Sequence, residues 1–250
     1  MNASHFRLAS IPLLLALVWV TLTSTKFVSP LFLPTLPDVG RAFGVALTDG
    51  TLLVDASVTL GRMVAGFSIA ILIGTPVGLL MGTSKKIYEA FEFVVDFFRS
   101  IPTTALFPLF LLTFGIGDTA KIAVVAWGTG LIVIVNAMHG VHQAKELRLR
   151  AARVMNVKGF DLFRRVVFPE ALPQLMTGYR VALSLALVIV VVTEMFIGTV
   201  HGLGHRIIDA QLVYRTADMY MAIFVTGWIG FGLNKGLGIL ERRFVHWQGK

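Results

Sequence analysis

The chain has 250 residues, of which 56% are hydrophobic and only 14% charged, with a formal charge of +8 and no cysteine. A soluble domain is about a quarter charged, so this composition and the mean hydropathy of +0.78 exclude an ordinary water-soluble protein. Without cysteine, disulfides and thiolate metal sites are excluded as well.

A helix needs roughly 20 mostly apolar residues to cross the hydrocarbon core. Six segments meet that need, at about 8–25, 57–83, 90–115, 119–141, 172–198 and 219–240. They predict an all-α integral membrane protein with a single domain over 1–250 and no internal repeat. The first segment has the basic start of a signal peptide. TSTKFVSPLFLP follows it without a small-residue cleavage motif, which favours a retained span. Next, LPTLPDVGRAFGVAL places apolar residues at helical spacing among a few charges and predicts a short helix at the membrane surface.

In the second span Gly66, Gly74, Gly78 and Gly82 recur mostly four apart, a spacing that lets another helix approach closely. Arg62, near the outer end of that span, either attracts an anion or pairs with Glu194. The third span carries Asp96 and Arg99 and is interrupted by Pro102 and Pro108. Such a segment is tolerated inside a bundle or beside a cavity. In the fourth, Asn136 and His139 lie toward the inner end, where they line a path or bond to a neighbouring helix. In the fifth, Glu194 in VVVTEMFIG is expensive to hold in a membrane and is a functional candidate by default. A carboxylate does not help an anion along a path, so pairing between helices is the favoured reading. Past it, His201, His205 and Asp209 are spaced four apart, a spacing also compatible with a metal site.

Orientation follows from lysine and arginine. With the N-terminus inside, Arg7, Lys85, Lys86, the loop after span four, Arg242, Arg243 and Lys250 place thirteen basic residues on the inner side. Lys26, Arg41, Arg206 and Arg215 leave four outside. Both termini are therefore expected in the cytoplasm. The bias also accounts for the basic balance without a nucleic-acid partner.

The segment 142–171 is the most elaborate polar stretch. Lys145, Arg148, Arg150, Arg153, Lys158, Arg164 and Arg165 are its seven basic residues. Residues 145–155 are good helix formers, and Asn156 tolerates the left-handed conformation that often ends a helix. Phe160, Phe163 and Val167 then recur on one face, with Pro169 and Pro173 closing the segment. The pattern predicts two short helices joined at a turn. An apolar face on such a loop favours a docking partner over contact with lipid headgroups.

This segment resembles the signature loop of permease subunits of ATP-binding-cassette importers: Glu-Ala-Ala, three residues, Gly, then about nine residues to an aliphatic-Pro and a second Pro. Ala151 and Ala152 match the paired alanines, Phe168-Pro169 and Pro173 the closing prolines. Arg150 stands in place of the Glu and Asn156 in place of the Gly. SPLFLPTLPDV, TLGRMVAGFSIAILIGTPVGLLMGTS, FFRSIPTTALFPLFLLTFGIGDTAKI, TEMFIGTVHGLGHRIIDA and ERRFVHW resemble, in order, permeases for nitrate, sulfonate, taurine or bicarbonate.

The resemblance implies a type I importer permease fold with six helices, working as a pair, with a homodimer expected. It implies two cytoplasmic ATPase subunits, an extracytoplasmic solute-binding protein and a place in the bacterial inner membrane. Ala151, Ala152, Met155, Asn156, Gly159, Phe160, Phe163, Pro169 and Pro173 would form the ATPase-coupling loop. Ala152→Asp and Phe160→Asp are expected to weaken that docking. GLGHRIIDA resembles a family turn and short helix, so no metal is expected there. The chain has no GxxxxGK[ST] phosphate loop, so ATP-Mg belongs to the partner; no catalytic residue and no cofactor are expected here.

Three rivals remain. An ion-driven secondary transporter would favour inverted repeats, a membrane enzyme would need clustered catalytic groups, and a permease of the same class would carry another solute.

Overall fold

A computed structural model describes residues 3–25, 27–144 and 146–244. Lys26, Lys145 and Lys250, counted above, lie outside them, as does the end of ERRFVHW. All the regular structure described is helical: α1 (Ala3–Ser24), α2 (Leu36–Thr48), α3 (Thr51–Thr83), α4 (Lys85–Ser100), α5 (Phe107–Phe114), α6 (Asp118–His142), α7 (Glu146–Val154), α8 (Gly159–Leu162), α9 (Phe168–Phe196), α10 (Leu203–Leu212) and α11 (Thr216–Phe244).

Among the described residues, four helices are by themselves long and apolar enough to cross a membrane: α3, α6, the continuous helix Gly159–Phe196, and α11. The expected third span is not one rod. α4 ends at Ser100, a 3₁₀ turn covers Thr103–Leu106, and α5 leaves at 90° to α4. Pro102 explains the break, since it has no N–H for the helical ladder, while Pro108 falls in the first turn of α5, where none is needed. Counted as one bent span, this pair makes five. The first expected span falls in α1, whose apolar stretch Ser10–Ser24 is shorter. Trp19 ties it to the rest of the chain: its Nε1 donates to Pro34 O at 3.0 Å and its ring meets Tyr220 edge to face.

α2 is capped in a way its sequence supports. Thr35 Oγ1 accepts from Asp38 N at 3.3 Å and donates to Asp38 Oδ2 at 2.6 Å, with Pro37 in the first turn. Val39 and Ala46 pack toward Leu52, Leu203 and Met221, while Phe43 and Val45 stay exposed. Gly50, at φ +78°, makes the turn into α3, which therefore starts at Thr51, ahead of the expected residue 57. The exposed Asp49 carboxylate accepts from Thr51 N and Oγ1, and these bonds hold its pKa below the usual value.

The core is α3, α6 and α9. The glycine stripe of α3 is where α6 seats: a Cβ on Gly78 would lie 2.2 Å from Ile134 O, and one on Gly66 2.7 Å from the Val125 side chain. Gly74 and Gly82 face Val133 and Val141 in the same way. Small residues thus let two backbones meet where apolar burial gives no advantage over lipid.

The prolines that were expected to close the loop do not end a helix. Pro169 and Pro173 lie inside one run from Gly159 to Phe196. The reason is a π turn over Phe163–Val167, in which Phe168 N donates to Phe163 O. That shift of the ladder directly before Pro169 absorbs the position where proline cannot donate.

Candidate functional site

At one end of the bundle lies the folded loop. α7 carries an i,i+4 pair in which Arg150 Nε donates to Glu146 Oε1 at 3.0 Å, so the residue replacing the expected Glu keeps a carboxylate on its own helix. Arg148 pairs with Glu170 and ties α7 to the start of α9. After α7, Val157 N donates to Ala152 O at 3.0 Å around Asn156, whose φ is +62°. This is the C-terminal cap geometry that glycine usually supplies and asparagine tolerates. Gly159, at φ +57°, makes the next bend into α8.

The apolar positions of the loop divide into two sets. Ala152 is 8% exposed, and Phe163 and Val167 pack half-buried against a core of Leu79, Ala137, Val141, Ala171 and Leu175. Phe163 and Val167 hold the loop to the bundle. Ala152→Asp would therefore strike the packing of the loop itself, ahead of any effect on docking. Phe160, in contact with Phe163 at 6.3 Å between ring centres, stands 74% exposed, beside exposed Leu147, Val154 and Met155. Ala151 is exposed too. The free surface is thus the tip of the turn, with Phe163 anchoring it. Pro169 and Pro173 sit behind it in the helix that leads away.

At the opposite end is a buried ion cluster. Arg62 on α3 donates from Nη1 to Glu194 Oε1 on α9 at 2.8 Å. Its other nitrogens reach Asp118 Oδ1 at 2.8 Å and Thr199 Oγ1 at 3.0 Å. Glu194, 1% exposed, also accepts from Thr59 Oγ1 at 2.9 Å and from Gly204 N at 3.0 Å. Asp55 accepts from Gly202 N at 2.9 Å and from Arg206 Nε at 2.7 Å, while Leu203 N donates to Thr59 Oγ1 at 2.9 Å. The first amides of α10, which no helix satisfies internally, are thus taken by side chains of α3 and α9. Lys121 Nζ donates to Gly198 O at 3.1 Å and holds the approach to that turn. Gly202, at φ +139°, admits the carboxylate: a Cβ there would fall 2.5 Å from Glu194 Cδ.

Of the candidate pathway residues, Arg62 and Glu194 therefore come together as a buried pair joining two helices. Asn136 is elsewhere, toward the loop end, where its Oδ1 accepts from Gln174 Nε2 at 3.0 Å and links α6 to α9. His205 Nε2 pairs with Asp209 Oδ2 at 3.1 Å, and His201 Nδ1 lies 3.7 Å from Asp55. Among the described residues no group of three or more His, Asp or Glu is placed to hold a metal ion. The sequence reading missed Asp55, Thr59, Lys121 and Arg206. Asp55, Thr59 and Arg62 do carry a signal, since spacings of four and three put all three on one face of an apolar helix.

Long apolar helices, a broken span and a folded loop with an uncovered apolar tip define a multi-pass transport permease. Residues 74–246 match the family described as "Binding-protein-dependent transport system inner membrane component", and the chain belongs to that family. A probable ABC transporter permease protein of Brucella abortus (strain 2308) is 33% identical over 230 residues, covering 92% of this chain and 90% of that one. The taurine transport system permease protein of Escherichia coli (strain K12) is 31% identical, covering 93% and 86%. An inward-facing methionine ABC transporter structure aligns with a TM-score of 0.68 at 20% identity, over 79% of this chain and 97% of that one. The chain is thus the membrane-spanning permease subunit of an ABC importer, a transport component by family.

Proposed function

We propose that this permease forms the path for a small anionic solute of the taurine, sulfonate, nitrate or bicarbonate class. The similarity to the taurine permease and to a bicarbonate transport permease of Synechocystis, 27% identical over 184 residues, supports that class. The loop end faces the cytoplasm, with both termini, in a bacterial inner membrane; the lysine and arginine bias supports this orientation. Two copies pair, two ATPase subunits dock on their loops, and a solute-binding protein delivers from the other side.

The observation that carries the coupling role is the exposed tip at Met155 and Phe160 joined to one continuous helix. The helix from Gly159 to Phe196 has 38 residues and runs unbroken from the docking tip to Glu194. At 1.5 Å per residue it is about 57 Å long. Closure of the ATPases on ATP would move Phe160, and the helix would carry that movement to the ion cluster at the opposite end. This is a two-state element biased by a ligand bound on another chain.

The test is ATP-dependent uptake of labelled taurine, an alkyl sulfonate, nitrate, bicarbonate and an aromatic carboxylate, in cells with and without the gene. Uptake of one anion, dependent on the chain, supports the reading. Chain-dependent uptake of a solute with no oxyanion group, a labelled sugar or quaternary amine added to the panel, with none of the five carried, would overturn the substrate class.

A further inference from the structure

The bent span presents charge where lipid cannot receive it. Phe98 meets Trp127 at 5.0 Å between ring centres, and Thr103 packs where a Cβ on Gly128 would come within 2.9 Å of it. Gly128 is ten residues into the 25-residue helix α6, about 15 Å from its start at 1.5 Å per residue. The break in the span therefore sits near the middle of the bundle, and Arg99 is beside it. Yet the Arg99 side chain is 54% exposed, its ion partner being Asp96 at 3.4 Å, itself 59% exposed.

Tyr88, Glu92, Asp96 and Arg99 follow one another at spacings of four, four and three, so they share one face of α4. That face borders a cavity of about 200 Å³ closed on the other side by Ile134, Met138 and His139. An ionisable group at this depth faces water or protein, not hydrocarbon, and irregular backbone at this depth is tolerated beside a cavity. We propose that this face of α4 lines the translocation route and that Arg99 is its anion contact, with Asp96 as the resting counter-ion. An arriving sulfonate or carboxylate replaces Asp96 on the guanidinium, which offers paired donors to a planar or tetrahedral oxyanion. The carboxylates of Asp96 and Glu92, on the loop-end side of Arg99, then favour its departure. The proposal rests on the anionic-solute reading.

The natural chain has no cysteine, so single cysteines report directly. The assembled transporter, with its partner subunits in lipid nanodiscs, would carry Asp96→Cys or, as an apolar control on α3, Leu72→Cys, which is 72% exposed. Each is reacted with anionic sulfonatoethyl and cationic trimethylammonioethyl methanethiosulfonate. The proposal expects Asp96→Cys to react at least tenfold faster than Leu72→Cys. The ratio of anionic to cationic rates should fall about tenfold when Arg99→Gln is added and return with Arg99→Lys. Co-purification of the partner subunits establishes that each variant is assembled. Equal rates at the two cysteines would place a second copy or lipid over this face and overturn the route; an unchanged ratio would overturn the role of Arg99. Because no solute is used, these results are separate from the uptake panel. Anion uptake with an unchanged ratio sinks this proposal alone, whereas a changed ratio with neutral-solute uptake sinks the substrate class alone.

Discussion

Arg62 and Glu194, 132 residues apart, meet at 2.8 Å between α3 and α9, both almost wholly buried. The pair is one link in a set that also fixes Asp118, Thr59 and the start of α10. Removing Arg62 strips the buried Glu194 carboxylate of its guanidinium, which costs about 3–5 kcal/mol, while removing Glu194 leaves Arg62 with Asp118 as its remaining carboxylate and costs less. Arg62→Ala and Glu194→Ala should each lower the melting temperature of the purified permease, the first more sharply. The double variant should lose much less than the sum, because the second removal relieves the orphaned charge. Additive losses would show that the two residues act independently.

The glycine stripe makes a second prediction. Gly78→Ala places a methyl group 2.2 Å from Ile134 O, so α3 and α6 must separate. Nothing lies within 4 Å of a Cβ on Gly232, at an exposed position of α11. There the same change is expected to be neutral or to stabilise by up to about 1 kcal/mol through helix propensity. Thermal unfolding in detergent should therefore separate the two substitutions in sign. Equal effects would remove the close approach of α3 and α6 as the reason for the stripe.

Asn156 holds a backbone conformation that glycine adopts freely and a branched side chain resists. Asn156→Gly should leave transport and ATPase co-purification unchanged. Asn156→Val should cost about 1–2 kcal/mol locally and loosen the tip, read as faster amide exchange over residues 150–160. Unchanged exchange in Asn156→Val would contradict the left-handed turn.

Ala152→Asp and Phe160→Asp should fail for different reasons. The first buries a carboxylate at a site 8% exposed and should reduce the amount of folded permease in the membrane. The second alters a ring already 74% exposed and should leave that amount unchanged while partner binding falls. Equal membrane levels and equal loss of partner would erase the distinction between packing and docking positions.

What the sequence made legible and what it hid have separate physical causes. The glycine spacing of α3 was readable because helix periodicity maps directly onto one face, and so was the left-handed residue at 156. The disruption near Pro102 was readable too, but not its 90° angle, which no local pattern of residues encodes. Pro169 and Pro173 read as terminators because proline ends most helices; the π turn that carries the chain past them has no pattern of its own. Glu194 was visible as an isolated charge. Its pairing with Arg62 was one of two readings of that arginine, whereas Thr59 and the Gly204 amide were hidden because the first comes from α3, 135 residues away, and the second through an irregular turn. On the loop, Phe160, Phe163 and Val167 fall at one helical spacing, and only tertiary packing decides which of them stays free.

If ATPase subunits drive this permease through the loop, the tip at Phe160 is where they must act. The most direct measurement is uptake of the transported solute together with ATPase co-purification, comparing the natural chain with Phe160→Asp at matched membrane levels. The account predicts that both fall at least tenfold in the variant. Normal uptake and normal co-purification would show that the loop is not the coupling element.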